Sequence, residues 1–457
     1  MSLCLNGLNA KLEETTVSTT VSSREPLIAL ANALNWEHIA ELAMDDLKQT
    51  AKGYWQVGRR LLLRLHLAVM ILQSLLKETD RGIERRIRET PVLQVFCGVG
   101  VLAKWRCPDH TKIEAFRNRL SPDTHHAIGH YVLQVARQQG FADASWMDVD
   151  STVQEANIAY PSDATLMKKL AEKSHRVLSF LREKVKTYLP KEMSINIAHI
   201  RKTAQRYFFL SKNTALEERR KLFKAYHQLV KKELRPVIDC FTTMEACQLD
   251  ALPWHIRRAL TCVVQKGWRY LLDVGHFVRT HTIKAGKRLS FHAADVACIK
   301  KGKAGKAHEF GRVFQLGRIG GNFLIAFRAT SVRMEDKHSL LPAIKEHRSL
   351  FGKNTLKEVG TDKGYYSRDN IKAVQALSIN ADGLQRPSHV KQTPPVERVV
   401  PLRDRRAGIE PLIQHAKSFG LGKSKMKSDT TTLASGYRAV MGFNLHQLLR
   451  HIAIPAG

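Results

Sequence analysis

One short strand stands alone between long helical segments in this sequence. Residues 146–153 mix bulky apolar side chains with Ser and Thr, a composition typical of a strand that ends in polar residues. Residues 27–145 before it and 164–285 after it repeat apolar side chains at spacings of three and four, which predicts helices. Further strands are predicted only after residue 285. This order indicates an α/β core with helical additions, in which 164–285 is a basic, mostly helical insertion.

The segment after the insertion combines strands and helices. Its apolar runs predict strands at 288–292, 296–299, 312–316, 323–327 and 358–362, with Gly320-Gly321 as a hairpin turn. Helices are predicted at 339–347, 368–377, about 406–416 and 433–451. In the N-terminal half, Thr111 followed three residues later by Glu114 predicts Thr111 as the cap of a helix.

The chain carries a large positive charge. Its 457 residues include 73 Lys and Arg against 42 Asp and Glu, a formal net charge of +31. Residues 201–235 alone hold 11 basic side chains against three Glu. Nucleic acid is the usual partner of such a charge, because each neutralised phosphate releases condensed counterions. A high-salt host or a membrane surface is the alternative, and no basic helix with a large aromatic apolar face supports the second.

Arginines concentrate on short helices predicted in the N-terminal region. They are Arg81, Arg85, Arg86, Arg88, Arg117 and Arg119. Such helices suit DNA binding, although a solvated charged surface explains each arginine equally well when taken singly. The apolar run at 67–72 is far too short to span a membrane, and the N-terminus lacks the pattern of a secretory signal. We therefore expect a cytoplasmic protein without a membrane partner.

The seven cysteines form no C-x2-C pair, which is typical of free thiols in a reducing compartment. Cys107 and His110 have the spacing of two zinc ligands. No second pair stands at finger spacing, so the expected role of Cys107 is that of a packed thiol.

Three carboxylates occupy positions that suit a catalytic metal site. Asp150 and Asp362 lie at the ends of predicted strands, and Glu410 lies in a predicted amphipathic helix. Magnesium prefers oxygen ligands, and two ions about 3.5–4 Å apart can stabilise both the attacking and the leaving oxygen of a phosphodiester. Asp148 is an alternative to Asp150, because residues i and i+2 of a strand face the same side.

The third acid has basic residues at helical spacings on both sides. Arg406 precedes Glu410 by one turn, and Lys417 follows it by two turns, or about 10 Å. The carboxylate can therefore bind metal while the cations hold phosphates, although a surface row of ion pairs has the same spacing. Lys423 and Lys425 follow as further candidates for phosphate contact.

These motifs resemble the DDE transposases of bacterial insertion sequences, in the group typified by insertion sequence five. The similar segments are Phe96–Gly98, Pro108–Thr111, Phe116–Leu120, Asp148–Asp163, Gly302–Ala304 with Glu309–Gly311, Thr361–Tyr365, Arg405–Lys417 and Gly442–Leu445. The pattern R-x3-E-x6-K at Arg406, Glu410 and Lys417 is the most specific of them. The tyrosine that the family often has three residues before the motif arginine is replaced here by Arg403.

The resemblance implies an α/β fold of the RNase H-like type, with a mixed sheet, flanking helices, a helical N-terminal domain and a basic helical insertion. Residues 1–145 would be the helical N-terminal domain that binds DNA. Residues 146–457 would be the RNase H-like catalytic domain, with the insertion at about 164–285. The 212 residues between Asp150 and Asp362 are a long separation, which we attribute to this insertion.

The same resemblance implies the chemistry and the partners. Asp150, Asp362 and Glu410 would be the catalytic residues and the ligands of two Mg2+ ions, with Mn2+ as a substitute. Arg406 and Lys417, together with the nearby lysines 423 and 425, would contact DNA. The expected activity is cleavage of double-stranded DNA at the terminal repeats of a mobile element and strand transfer into target DNA. A homo-oligomer on paired ends and a location with the bacterial nucleoid in the cytoplasm would follow.

The sequence also allows alternative functions and alternative roles for some residues. A non-catalytic DNA-binding derivative of a transposase, or an RNase H-like nuclease or resolvase, would share these features. Asp163 suits a helix N-cap or a place near substrate, and Tyr365 and Tyr366 suit either stacking on a base or burial. Three aromatic residues of the insertion suit helix packing or contact with DNA: Trp254, Trp268 and Tyr270.

Overall fold

The structure is a computed structural model, and it divides the chain into two compact units. Unit 1 comprises Met1–Gln154, Val313–Ser424 and Leu433–Gly457, and unit 2 comprises Glu155–Arg312 and Lys425–Thr432. The structure describes residues 21–48, 57–99, 107–158, 160–184, 193–211, 213–284, 286–291, 293, 296–300, 308–329, 333–384 and 405–453. Two parts of the transposase-like motifs, Gly302–Ala304 and Arg403, lie outside the described residues.

The segment before the first strand is helical, as its periodicity predicts. Its described helices are α1 (Pro26–Ala33), α2 (Trp36–Lys48), α3 (Val57–Leu76), α4 (Asp80–Glu89), α5 (Pro91–Phe96), α6 (His110–Arg119) and α7 (Pro122–Gln138). The predicted cap of α6 is wrong by two residues. Asp109 caps this helix, because its carboxylate accepts hydrogen bonds from the backbone N–H groups of Thr111 and Lys112, both at 3.0 Å.

The strands form a mixed sheet. They are β1 (Trp146–Glu155), β2 (Ala297–Lys300), β3 (His308–Ile319), β4 (Phe323–Ala326), β5 (Glu358–Gly360) and β6 (Asn380–Asp382). Their order is β2-β3-β1-β5-β6, with β4 paired to β3. β5 is parallel to both of its neighbours, β1 and β6. β3 is antiparallel to β2 and to β4. The chain is thus mixed α/β with a mostly helical content.

Two sequence predictions around the antiparallel strands have different outcomes. The turn at Gly320-Gly321 is confirmed, and Gly321 has a φ of 77°, where a Cβ atom would also clash with the carbonyl of Phe141. The strand predicted at 288–292 is wrong, because residues 288–291 have no strand conformation. His292 lies outside the described residues.

The helices of unit 1 after β4 follow the predicted pattern closely. They are α14 (Asp336–Phe351), α15 (Arg368–Ala376), α16 (Ile409–Ala416) and α17 (Asp429–Ala453), the last of which begins in unit 2. The helix predicted from about residue 406 is interrupted. Residues 405–407 are helical, Gly408 forms a turn, and α16 begins after it.

The sheet of unit 1 has helical layers on both faces. Along β4, Phe323 and Ile325 belong to one apolar core, whereas Leu324 and Ala326 belong to a second. This alternation follows from the two-residue period of a strand. The first core also contains side chains of the N-terminal helices α1–α7, and the second contains those of α16 and α17. Both sides of residue 145 therefore contribute to one core.

Unit 2 has its own apolar core and consists mainly of helices. They are α8 (Asp163–Lys184), α9 (Ile197–Phe208), α10 (Leu216–Thr242), α11 (Ala246–Asp250), α12 (Trp254–Thr261) and α13 (Trp268–Thr280). The segment 164–285 predicted as an insertion lies within this unit. The division into functional domains stays a prediction. Over the described ranges, no helix is long and apolar enough to cross a membrane.

Candidate active site

Asp150 and Asp362 lie at the same level of two neighbouring parallel strands. Asp148 of β1 pairs with Gly360 of β5, and each candidate acid follows its strand's paired residue by two positions. Because the two strands run parallel in this register, the two acids lie side by side at the edge of the sheet where β5 ends. Asp362 follows the last residue of β5, as predicted, whereas Asp150 lies within β1, which continues to Glu155, so its predicted place at a strand end is wrong.

The surroundings of Asp150 disfavour its negative charge. Burial raises the pKa of this carboxyl above its ordinary value of 3.8, and the charges of Asp362 and Asp336 raise it further. The N–H of Ser151, which donates to Oδ1 at 2.7 Å, and the guanidinium of Arg406 act in the opposite direction. The net pKa is raised, which is the expected state of a carboxylate crowded by other acids.

Asp336 is a third acid at this edge that the sequence analysis missed. It is the first residue of α14. A Cβ atom added to Gly364 would lie 3.0 Å from Oδ1 of Asp362 and 3.3 Å from Oδ2 of Asp336. The two carboxylates therefore approach the same backbone position, and glycine leaves room for both. The N–H of Gly364 also donates to Oδ1 of Asp362 at 2.8 Å.

A buried tyrosine lies beneath this acidic cluster. Tyr365 is fully buried, and its hydroxyl accepts a hydrogen bond from the amide of Gln315. The side chain of Asn370 donates to the carbonyls of Tyr365 and Lys337, at 2.7 and 2.8 Å. Burial raises the pKa of the Tyr365 phenol well above its ordinary value. Burial rather than base stacking is thus the observed role of this ring.

Arg406 brings the third sequence motif to the two aspartates. Its Nη2 lies 3.9 Å from Oδ2 of Asp362. Glu410 follows one turn later in α16 and is exposed, beyond the interruption at Gly408. In the described part of the chain, no group of three potential metal ligands within 4.8 Å of one another contains Asp150, Asp362 or Glu410. The structure therefore joins Asp150, Asp362, Asp336 and Arg406, and it does not show a compact three-acid centre.

Asp148 has a different environment from Asp150. It is fully buried, with Oδ1 accepting from Nε of Arg405 at 3.4 Å and Oδ2 lying 3.9 Å from Nη1 of Arg318. Burial raises its pKa, and the two arginines oppose that effect. The guanidinium of Arg318 also donates to the carbonyl of Arg405 at 2.6 Å. Asp148 therefore anchors the residue next to Arg406, while Asp150 faces the other acids.

The predicted DNA-contacting residues near α16 are placed as follows. Lys417 is half-buried at the C-terminus of the helix, where a single π-turn begins. The amide of Gln154, near the end of β1, donates to the carbonyl of Gly420 in that turn at 2.9 Å. Lys423 and Lys425 are exposed.

The N-terminal arginines divide into two groups. Arg81, Arg85, Arg86 and Arg88 are exposed on α4, and Arg119 is exposed at the end of α6. Arg117 is buried and forms an ion pair with Asp80, so its assignment to a DNA-contacting surface is wrong.

Several alternative roles are resolved within the described residues. Asp163 does not cap α8, because Oδ1 accepts from the hydroxyl of Tyr270 at 2.8 Å and Oδ2 pairs with Lys287 at 2.5 Å. Of the aromatic residues with two alternative roles, Tyr270 is buried, whereas Trp254 is exposed.

Cys107 is expected from the sequence to be a packed thiol. Burial raises the pKa of this thiol to about 11, which agrees with that expectation.

Comparison with known protein families gives a match in the N-terminal region. Residues 16–119 match a family described as Transposase domain (DUF772), which covers the segment from α1 to α6 and under a quarter of the chain. The match supports a transposase family and, with it, DNA binding. No curated protein and no solved structure matches the chain.

Proposed function

We propose that the chain is a DDE transposase of a bacterial insertion sequence, in the group typified by insertion sequence five. The observation that carries the proposal is the position of Asp150 and Asp362, each two residues beyond the last paired position of the parallel strands β1 and β5, with Arg406 near them. These residues belong to three motifs spread over more than 250 positions. Ordinary surface acids would have no reason to meet in this way.

The fold is compatible with the RNase H-like expectation. That expectation requires the first two acids on neighbouring strands, and β1 and β5 are neighbours. It also requires flanking helices, which cover both faces of the sheet in unit 1. The long separation of the two acids is occupied by a segment that forms a helical unit of its own.

The donor set suits Mg2+ or Mn2+. Asp150, Asp362 and Asp336 offer only oxygen atoms, and their mutual repulsion would be relieved by a bound cation. Asp150, Asp362 and Glu410 are the proposed ligands of two ions. When bound, such ions supply Lewis acidity and lower the pKa of water at the phosphodiester.

The remaining residues bind and orient. Arg406 balances the charge of Asp362 and can contact a phosphate of the bound strand. Asp148 and Arg318 fix Arg405 and, through it, the start of the helix that carries Glu410. Tyr365 and Gln315 fill the space beneath the acids, which excludes water from that side.

DNA would be held by basic residues outside the acidic cluster. Lys423 and Lys425 are exposed and suit contact with phosphates, as does the arginine-rich surface of α4. The partners are the element's terminal repeats and target DNA, and a homo-oligomer would hold two ends together. We place this activity in the bacterial cytoplasm, at the nucleoid.

The test uses the purified full chain and duplexes made from the DNA that flanks its gene. Cleavage with Mg2+ and its loss with EDTA are expected, followed by joining of a pre-cut 3′ end to a target duplex. The substitutions D150N, D362N and E410Q should each abolish cleavage while leaving binding intact. The matched control is D369N, which removes an exposed carboxylate from the first turn of α15.

Each other result rejects a specific part of the proposal. Cleavage without joining would indicate a nuclease or resolvase. Binding without any cleavage would indicate a non-catalytic derivative. Full cleavage by E410Q, with loss in D150N and D362N, would reject Glu410 as the third ligand.

A further inference from the structure

Two histidines of α7 and one glutamate of α14 converge away from the acidic cluster. His126 and His130 are four residues apart and so lie on one face of the helix, with ring centroids 4.0 Å apart. Nε2 of His126 lies 2.8 Å from Oε1 of Glu346, and Nε2 of His130 lies 3.5 Å from the same oxygen. All three ligand atoms lie within 4.8 Å of one another.

A backbone carbonyl completes the group. The oxygen of Ala326, at the end of β4, lies 2.9 Å from Nε2 of His126 and 3.2 Å from Nε2 of His130. The two imidazole nitrogens thus face the same pair of oxygens. A neutral imidazole has a single N–H, so each ring can donate to only one of the two oxygens although its Nε2 lies within 3.5 Å of both.

The two carboxylate oxygens of Glu346 differ in their hydrogen bonding. Its Oε2 accepts a hydrogen bond from the N–H of Arg328 at 2.9 Å, which fixes the carboxylate. Its Oε1 is buried and has no hydrogen bond of acceptable geometry among the described residues, despite its closeness to His126. A buried acceptor without a donor is costly, and it points to a ligand that the four atoms could share.

We propose that His126, His130 and Glu346 bind a Zn2+ ion, with the carbonyl of Ala326 or a water molecule as the fourth ligand. Zinc takes two histidines and a carboxylate in tetrahedral sites, with bonds of about 2.0–2.2 Å that place neighbouring ligand atoms about 3.4 Å apart. The observed separations of 2.8–3.5 Å need only a small opening to match. Nitrogen ligands also favour zinc over magnesium.

The site is open to an entering ion and separate from the candidate active site. His126, His130 and Glu346 line a cleft of about 700 Å³ within unit 1. Glu346 follows Asp336 by ten residues of α14, or about 15 Å along the helix. A zinc ion here would link α7, α14 and the end of β4. It would thereby hold α14 in place, and α14 is the helix that carries Asp336 of the acidic cluster.

The experiment measures Zn2+ binding by the full chain after removal of metal with EDTA, in competition with a chromophoric chelator. One ion per chain is expected at this site, and Co2+ in its place should give the visible absorption of tetrahedral nitrogen and oxygen ligation. H130Q and E346Q should weaken binding by more than about a hundredfold, since even outer partners of a metal site contribute 10- to 100-fold. The control H38Q removes a histidine that lines the same cleft and should bind like the wild type.

Other outcomes overturn the proposal. Unchanged affinity in H130Q and E346Q, with both variants folded by circular dichroism, would show that the histidines and Glu346 form only a hydrogen-bonded group. Absence of binding by the wild type would do the same. An intense thiolate charge-transfer band in the Co2+ form, lost when the cysteines are blocked, would assign the ion to cysteines, and this readout needs no variant to fold.

Discussion

Asp150 and Asp362 each lie two residues beyond a paired position of β1 and β5, and the charge of Asp362 makes ionisation of the buried Asp150 more costly. The pKa of Asp150 is raised first by burial and then by Asp362 and Asp336, with Arg406 as the opposing cation. The crowding of these acids therefore lowers the stability of the folded protein at this edge of the sheet. The effect should be visible in the metal-free protein.

We expect D150N to be more stable than the wild type while it loses cleavage. The amide removes a buried charge and its repulsion with two acids, without changing the shape of the side chain. Thermal denaturation of the metal-free proteins at neutral pH should therefore give a higher Tm for D150N. A lower Tm than the wild type would contradict the proposed crowding of the acids.

The pH dependence of this difference has a definite sign. A raised pKa means that the folded state binds more protons than the unfolded state above the ordinary value of 3.8, so the wild type loses stability as the pH rises through that range. D150N lacks this dependence. The difference in Tm should be largest at neutral pH and should vanish below the ordinary pKa, where Asp150 is protonated in both states.

Asp336 should support cation binding at the acidic cluster. We expect D336N to weaken binding of Mn2+, measured by electron paramagnetic resonance of the free ion, by about 10- to 100-fold, the range typical of groups around a metal site. Cleavage should fall with it and recover in part at high Mn2+. D369N is again the control, because Asp369 is exposed in a neighbouring helix. Wild-type affinity in D336N would remove Asp336 from the site.

The sequence predicts the strands of this site better than it predicts which side chains lie close together in the folded protein. The strand at 146–153 and the strand ending near Asp362 follow from local apolar patterns, and both are observed. The contribution of Asp336 could not be predicted, because it depends on how α14 packs beside Gly364, and its only local signal is a place at the start of a helix. Proximity of this kind is a tertiary property.

The break before α16 shows the same limit. The spacing of Arg406, Glu410 and Lys417 predicts one continuous helix edge. A Cβ atom at position 408 would clash with the guanidinium of Arg318, so close packing from β3 accompanies the turn at Gly408. The carbonyl of Arg405 accepts a hydrogen bond from that same guanidinium. A long-range contact therefore accompanies an interruption that the helical spacing alone did not predict.

The proposed DNA contacts predict a salt dependence. Each phosphate contact contributes about −0.9 to the slope of log K against log salt concentration for double-stranded DNA. We expect K423Q and K425Q each to make the slope less negative by about 1, with little change in sequence preference. K353Q, which removes an exposed lysine after α14, should leave the slope unchanged. Unaltered slopes in all three variants would assign DNA binding to another surface.

Asp80 and Arg117 form an ion pair in which the carboxylate has a partner of opposite charge, unlike the mutually repelling acids around Asp150. Arg117 is buried, and its guanidinium contacts Asp80 and the amide oxygen of Gln73. We expect D80N to lower the free energy of unfolding by about 2 kcal/mol, because it leaves a buried guanidinium without its partner, reduced by the partial exposure of Asp80. Urea denaturation followed by circular dichroism measures the change. E78Q, which breaks the more exposed pair with Arg86, should cost less than about 1 kcal/mol.

The pH dependence at Asp80 is opposite in sign to that at Asp150. Burial alone would raise the pKa of Asp80, but hydrogen bonds from Arg117 and Gln73 outweigh burial and hold the pKa below 3.8. The unfolded state therefore binds more protons, and this carboxylate stabilises the fold above 3.8 and ceases to do so as the pH falls through its lowered pKa. The difference between wild type and D80N should accordingly shrink in acid, where both side chains are neutral. A difference that stays constant down to pH values well below 3.8 would show that Asp80 acts through packing and not through its charge.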